Sequence, residues 1–93
     1  MGFKKPFFSV IIPMHNCAEF MRKGLEQIRL QMFSDYELIM VCDACTDSTV
    51  EIAKAYIRPG TGDKVLEVNY GKAGMSRNAG LDVAEGEWIL FAD

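Results

Sequence analysis

His15, Asp43, Arg77 and Asp93 are of types that could jointly bind a ligand with a flat ring, hydroxyl groups and negative charge. An imidazole can stack on a heterocyclic base. A carboxylate can accept the base's N–H, and an arginine can hold phosphate through paired N–H donors. A second carboxylate can accept ribose hydroxyls or help hold a divalent metal. Each residue directly follows a short apolar segment or a glycine-containing turn. Pro13-Met14-His15-Asn16 follows the first segment and Cys42-Asp43-Ala44-Cys45 the second. Asn69-Tyr70-Gly71-Lys72, with Gly74, Arg77 and Asn78 beyond it, follows the third, and Asp93 the fourth. That mixture suits a nucleotide.

The elements that must position these residues are legible in the hydropathy pattern. Residues 7–12 are short, apolar and β-branched, and read as a buried strand stopped by Pro13. Asn16, with Glu19 three residues on, predicts a capped helix. Met21, Leu25, Ile28 and Met32 form its apolar stripe. Residues 36–42 predict a second strand and 43–47 a polar turn. Ser48 and Glu51 suggest another capping box, with Val50, Ala53 and Ile57 as the stripe of a second helix. Residues 59–63 are a loop, 65–68 a short third strand and 70–74 a flexible turn. Residues 75–85 predict a third helix, with Gly86 at a positive-φ cap. Residues 87–92 predict a fourth strand. The alternation β-α-β-α-β-α-β with near-continuous apolar strands implies an α/β, Rossmann-like parallel sheet covered on both faces. In such sheets ligands bind at the carboxyl ends of the strands, where the candidate residues fall.

Composition narrows the class. Of 93 residues, 49% are hydrophobic and 25% charged, which fits one globular domain and excludes a disordered tail. Ten Lys and Arg against thirteen Asp and Glu give a formal charge of −3, which provides no broad attraction to nucleic acid. No apolar run reaches the roughly 18 residues of a membrane span. The Lys4-Lys5 pair precedes an apolar stretch, but Pro6, Pro13, His15 and Asn16 spoil it as a leader. Three cysteines are too few for a disulfide framework. The expected location is the cytoplasm, or the inner face of the membrane as a peripheral protein. Cys42-Asp43-Ala44-Cys45 also has the placement of a thiol redox motif. With His15 and Cys17 it offers an alternative Cys₃His zinc site.

Several motifs in order resemble family 2 glycosyltransferases. These are Ser9-Val10-Ile11-Ile12-Pro13-Met14-His15-Asn16, the run from Tyr36 to Thr49, Arg77-Asn78-Ala79-Gly80-Leu81, Glu85-Gly86-Glu87, and Trp88 to Asp93. The resemblance covers essentially the whole of residues 1–93. It implies the nucleotide-sugar-binding half of a GT-A fold, with strand order 3-2-1-4. The implied reaction transfers a sugar from a nucleotide diphosphate donor, UDP by family habit, to an acceptor hydroxyl with inversion. Bacterial cell-surface polysaccharide or glycoconjugate synthesis is the family-level setting, with Mg²⁺ or Mn²⁺ as cofactor in the parent enzyme and none tightly bound here.

Carried over position by position, Pro13 and Asn16 match the family's first loop, and His15 stands where a Tyr commonly packs on the base. Asp43 matches the second Asp of an Asp-Asp-Gly-Ser turn. Cys42 replaces that turn's first Asp, and Ala44 and Cys45 stand for its Gly and Ser, which leaves the nucleotide open. Arg77 matches the Arg of an Ala-Arg-Asn segment near the donor. Asp93 matches the first Asp of the metal-binding Asp-x-Asp motif. The resemblance places the catalytic base and the acceptor site beyond Asp93, so the chain reads as the first part of a longer enzyme and as inactive alone. The expected strand edge at Trp88, Ile89 and Phe91 suggests a homodimer. A non-catalytic nucleotide-binding module is the remaining alternative.

Overall fold

The computed structural model describes residues 5–32 and 35–92. In chain order the elements are β1 (Phe8–Met14), α1 (Met21–Gln31), β2 (Tyr36–Asp43), α2 (Thr49–Ala55), β3 (Lys64–Val68), α3 (Ala73–Val83) and β4 (Trp88–Phe91). The four strands form one sheet in the order β3-β2-β1-β4, and every neighbouring pair is parallel. The α/β class and the strand order match the expectation.

The period of two along β2 explains the layering. All eight of its residues are buried. Leu38, Met40 and Cys42 pack with Met21 and Leu25 of α1 and Ile52 and Ala53 of α2 on one face. Ile39 and Val41 join Ile11 on the other, against Ala79 and Val83 of α3. Complete burial of side chains such as Leu25 or Leu38 contributes about 1.5–3 kcal/mol each. Two close approaches fix α3 and the segment after it. A Cβ on Gly80 would lie 2.6 Å from Ile11 Cγ2, and one on Gly86 would lie 2.6 Å from the Ser9 backbone nitrogen.

Local expectations fail where tertiary partners win. Pro13 does not stop β1, which runs on to Met14. The Ile11 carbonyl accepts the Ala92 N–H, so alternate residues of β1 turn their backbone groups toward β4. The donor that Pro13 lacks would point to that side, where pairing with β4 already ends at Ile11 and Phe91. Asn16 does not cap α1, which begins at Met21 without a side-chain cap. The Phe20 and Met21 N–H groups donate instead to the Cys17 carbonyl. Ser48 makes no cap bond to α2. Asp47 takes the Thr49 N–H at 2.9 Å in its place. The buried face of α2 is Thr49, Ile52 and Ala53, and Ile57 lies past its end, 39% exposed. The third helix begins two residues earlier than expected and ends at Val83. Gly86 has no positive φ. Its conformation is ordinary, and the tight space against Ser9 is what excludes a side chain.

Candidate functional site

A cleft of about 460 Å³ opens at the carboxyl ends of β1 and β2, beside the start of α3. Pro13, Met14 and His15 line it from β1 and the residue that follows, and Asp43 from the last position of β2. Gly71, Lys72 and Ala73 line it from the β3–α3 turn, and Ser76 and Arg77 from the first turn and a half of α3. Pro13, His15, Asp43 and Arg77, singled out from the sequence, therefore share one cleft. Asn16 is not among its lining residues, and Asp93 lies outside the described residues.

Asn16 braces two loops instead. Its carbonyl oxygen accepts the Thr46 N–H at 2.7 Å and the Asp47 N–H at 3.3 Å. Its amide donates to Thr46 Oγ1 at 3.2 Å. Asp47 returns the tie by accepting the Ala18 N–H at 3.2 Å. Asn16 (φ 44°) and Ala44 (φ 52°) adopt the left-handed conformation, so both loop entries bend sharply. Ala44 occupies the place the family gives to Gly, which meets that conformation without strain.

The His15 ring is oriented by a hydrogen bond from Nδ1–H to the Asp43 carbonyl at 2.8 Å. A carbonyl can only accept, so the proton sits on Nδ1 and, in the neutral ring, Nε2 is left as an acceptor. The ring itself is exposed at the edge of the cleft, where a flat ligand can lie on it.

Asp43 is only 5% exposed. Its Oδ1 accepts N–H groups from Tyr70 at 2.7 Å and Gly71 at 2.9 Å. Its Oδ2 accepts the Lys72 N–H at 3.1 Å and the Ser76 hydroxyl at 2.9 Å. The Gly71 N–H leads in holding the carboxyl below its ordinary value of 3.8; burial opposes it, and Ser76, Tyr70 and Lys72 add to it. Gly71, at φ 70°, lets the turn wrap this carboxylate. Asp43 is thus ionised at neutral pH and surrounded by dipoles rather than by a cation. Positive charge reaches the cleft through Lys72 and Arg77.

Ser76 is absent from the residues that the sequence singles out, whereas Lys72 is among those following the third strand. The one available signal for Ser76 was that it stands where the family's Ala-Arg-Asn segment has Ala.

The three cysteines are free thiols. Burial pushes Cys42 up from 9.0 to about 12, with neighbouring Cys45 adding to it. Burial also raises Cys17. An activated redox thiol requires the opposite shift. Among the described residues, no group of three or more His, Cys, Asp or Glu side chains could hold a metal ion. The geometry thus favours neither the thiol nor the zinc alternative. No helix among the described residues is long and apolar enough to cross a membrane.

Comparison with known proteins agrees with this arrangement. The chain is 35% identical over 85 residues to YibD of Escherichia coli K12, an uncharacterised glycosyltransferase, covering 91% of this chain and 25% of YibD. It is 39% identical over 90 residues to TarS of Staphylococcus aureus, a poly(ribitol-phosphate) β-N-acetylglucosaminyltransferase, covering 92% of this chain and 16% of TarS. The crystal structure of S. aureus TarS 1–349 in complex with UDP superposes with a TM-score of 0.82 at 37% identity. That match covers 92% of this chain and 26% of the TarS chain. The chain therefore spans about a quarter or less of these relatives, in the manner of the nucleotide-binding half of a GT-A fold. The model of Glycosyl transferase family 2 matches residues 9–93, and the chain belongs to that family.

Proposed function

We propose that this chain is the nucleotide-sugar-binding part of a glycosyltransferase that uses a UDP-sugar. The observation that carries the reading is the convergence of Pro13, His15, Asp43 and Arg77 on one cleft, in a chain whose structural relative TarS was crystallised with UDP. The base lies against His15 and Pro13. Lys72 and Arg77 supply positive charge for the diphosphate. Asn16 contributes by holding the first loop to residues 46 and 47.

In the complete reaction the acceptor hydroxyl oxygen attacks the sugar's anomeric carbon as a general base removes its proton. The bond from that carbon to the diphosphate oxygen breaks, UDP leaves, and the configuration inverts. None of the described residues of this chain is assigned as the base, so the chain alone binds donor without transferring sugar. The family's divalent cation, Mg²⁺ or Mn²⁺, finds no ligand cluster among the described residues. Asp93, its expected ligand, is outside them. The setting we propose is cytoplasmic synthesis of a bacterial cell-surface polysaccharide or glycoconjugate.

Trp88, Leu90 and Phe91 are 61%, 40% and 50% exposed on the β4 edge, and two chains associate there. A monomer by light scattering at every concentration removes that association.

Calorimetric titration of the 93-residue chain with UDP tests the nucleotide reading. Saturable UDP binding is expected, weakened by His15→Ala and by Arg77→Ala. A folded chain that does not bind UDP overturns it. Sugar transfer by the chain alone overturns the assignment of the base elsewhere.

A further inference from the structure

Glu37 lies near the amino end of β2 and is buried there, although it is an acid. Its carboxylate meets β1, β3 and the link that leads into β4. Oε2 accepts the hydroxyl of Ser9 in β1 at 2.5 Å. Oε2 also accepts the N–H of Glu85, in the link from α3 to β4, at 2.7 Å. Oε1 accepts an N–H of the Lys64 ammonium, at the start of β3, at 2.6 Å. Ser9 extends this chain of bonds, because its Oγ accepts the Gly86 N–H at 2.8 Å. Two consecutive backbone donors beyond α3 are therefore held by one buried acid and its serine. Without them these part-buried N–H groups would lose their partners, which is costly away from water.

This tie matters because α3 has little else to hold its far half. Its buried residues are Ser76 and Gly80, and Ala79 and Val83 pack against the cluster of Ile11, Ile39 and Val41. Such small side chains bury little apolar area. The larger Met75 and Leu81 are exposed. The chain leaves the helix at Ala84 (ψ 136°) and meets Glu37 at the next residue. From this geometry we infer that Glu37 is a positioning residue for the cleft, acting through α3. It fixes the exit of the helix, and so the direction in which the first half of that helix presents Arg77 to the cleft. The inference rests on the nucleotide reading above, in which Arg77 meets the diphosphate and His15 the base. It confines the effect of Glu37 to the diphosphate.

The test measures UDP and uridine affinities by chemical-shift titration of the folded wild type, Glu37→Leu, Glu37→Gln and Ser9→Ala. Uridine keeps the base and ribose and lacks the diphosphate, so the pair separates a displaced Arg77 from general loosening of the fold. Glu37→Leu has no acceptor for the Glu85 N–H and should weaken UDP on the order of tenfold, with uridine unchanged. Ser9→Ala frees only the Gly86 N–H and should weaken UDP by about threefold. Glu37→Gln should stay close to the wild type, because its amide oxygen can still accept the Glu85 N–H. If Glu37→Leu does not fold, Ser9→Ala decides. Equal losses of UDP and uridine, or undiminished UDP affinity in these folded variants, overturn the inference. A loss in Glu37→Gln as large as that in Glu37→Leu also overturns it, since the charge facing Lys64 would then be the cause. A wild type that does not bind UDP overturns the nucleotide reading and the inference with it. A wild type that binds UDP but not uridine overturns the seat of the base, and again the inference falls with it. The wild-type titrations separate these two failures from the others.

Discussion

At the carboxyl end of the sheet, Asp43 is held by three backbone N–H groups and a hydroxyl. At the amino end, Glu37 and Asp63 are each held by a cation. Lys64 Nζ lies 2.6 Å from Glu37 Oε1, and Arg58 Nη2 lies 2.7 Å from Asp63 Oδ1. Ser9 and the Glu85 N–H complete the shell of Glu37. The Leu38 N–H completes that of Asp63 at 2.8 Å. Arg58 also lies over the Tyr36 ring, 3.9 Å from its centre. At the amino end, therefore, each of these two acids meets its cation within the chain. The cleft end stabilises its carboxylate with dipoles alone. Among the described residues, Lys72 makes no ion pair or side-chain hydrogen bond, so its ammonium is available to an anion. A site for binding and a clamp for stability use the same kind of buried acid with opposite partners.

The contrast is most directly broken by Arg58→Met. It leaves Asp63 buried without its cation, and removing one member of a buried pair costs about 3–5 kcal/mol. Denaturant melts should show that loss, while UDP affinity of the folded protein stays at the wild-type value. A fall in affinity of the folded protein would mean that this pair, too, acts on the cleft.

Acid comes next. Burial opposes ionisation of Glu37, but the Glu85 N–H, Lys64 and Ser9 hold it below its ordinary 4.5. Burial likewise opposes Asp63, which Arg58 and the Leu38 N–H hold below 3.8. Asp43 is depressed as well. A depressed carboxylate stabilises the fold fully above its unfolded pKa and loses that contribution as pH falls through its folded value. Melting temperature should therefore be level with respect to these groups above about pH 5 and fall as pH drops below about 4. Arg58→Met should flatten that fall, because Asp63 no longer has a cation to lose. An unchanged acid slope in Arg58→Met would refute the assignment to Asp63.

The smallest effect sharpens the cleft side. Ala44→Gly relieves a left-handed residue in the turn beside Asp43 and should stabilise the fold by roughly 1 kcal/mol in denaturant melts. Destabilisation would mean that Ala44 is not strained.

The strands were readable because their apolar runs are dictated by burial on both faces, and β2 is the clearest case. The starts of α1 and α2 were not. Asn16 and Ser48 have the right types for caps, but Asn16 and the neighbouring Asp47 are used to tie loops from different strands, which no local pattern encodes. Gly86 was correctly marked as special for the wrong reason, since its constraint is the backbone of β1. In the site, His15, Asp43 and Arg77 were identifiable by type and by position after a strand. The donors that surround Asp43 were not, because they are backbone N–H groups 27 to 29 residues further along the chain. Ser76 was hidden because, beyond its standing at the Ala of the family's Ala-Arg-Asn segment, a serine near a helix start carries no mark that separates a buried partner from a wet surface.

The seat of α3 on β1 has a mechanical consequence. Gly80 rests directly on the side chain of Ile11, one turn beyond Ser76 and Arg77. The helix therefore works like a beam on a pivot. A larger residue at either contact would lift its middle and swing the Arg77 end, so a mutation wholly inside the core would be felt as a change in ligand grip.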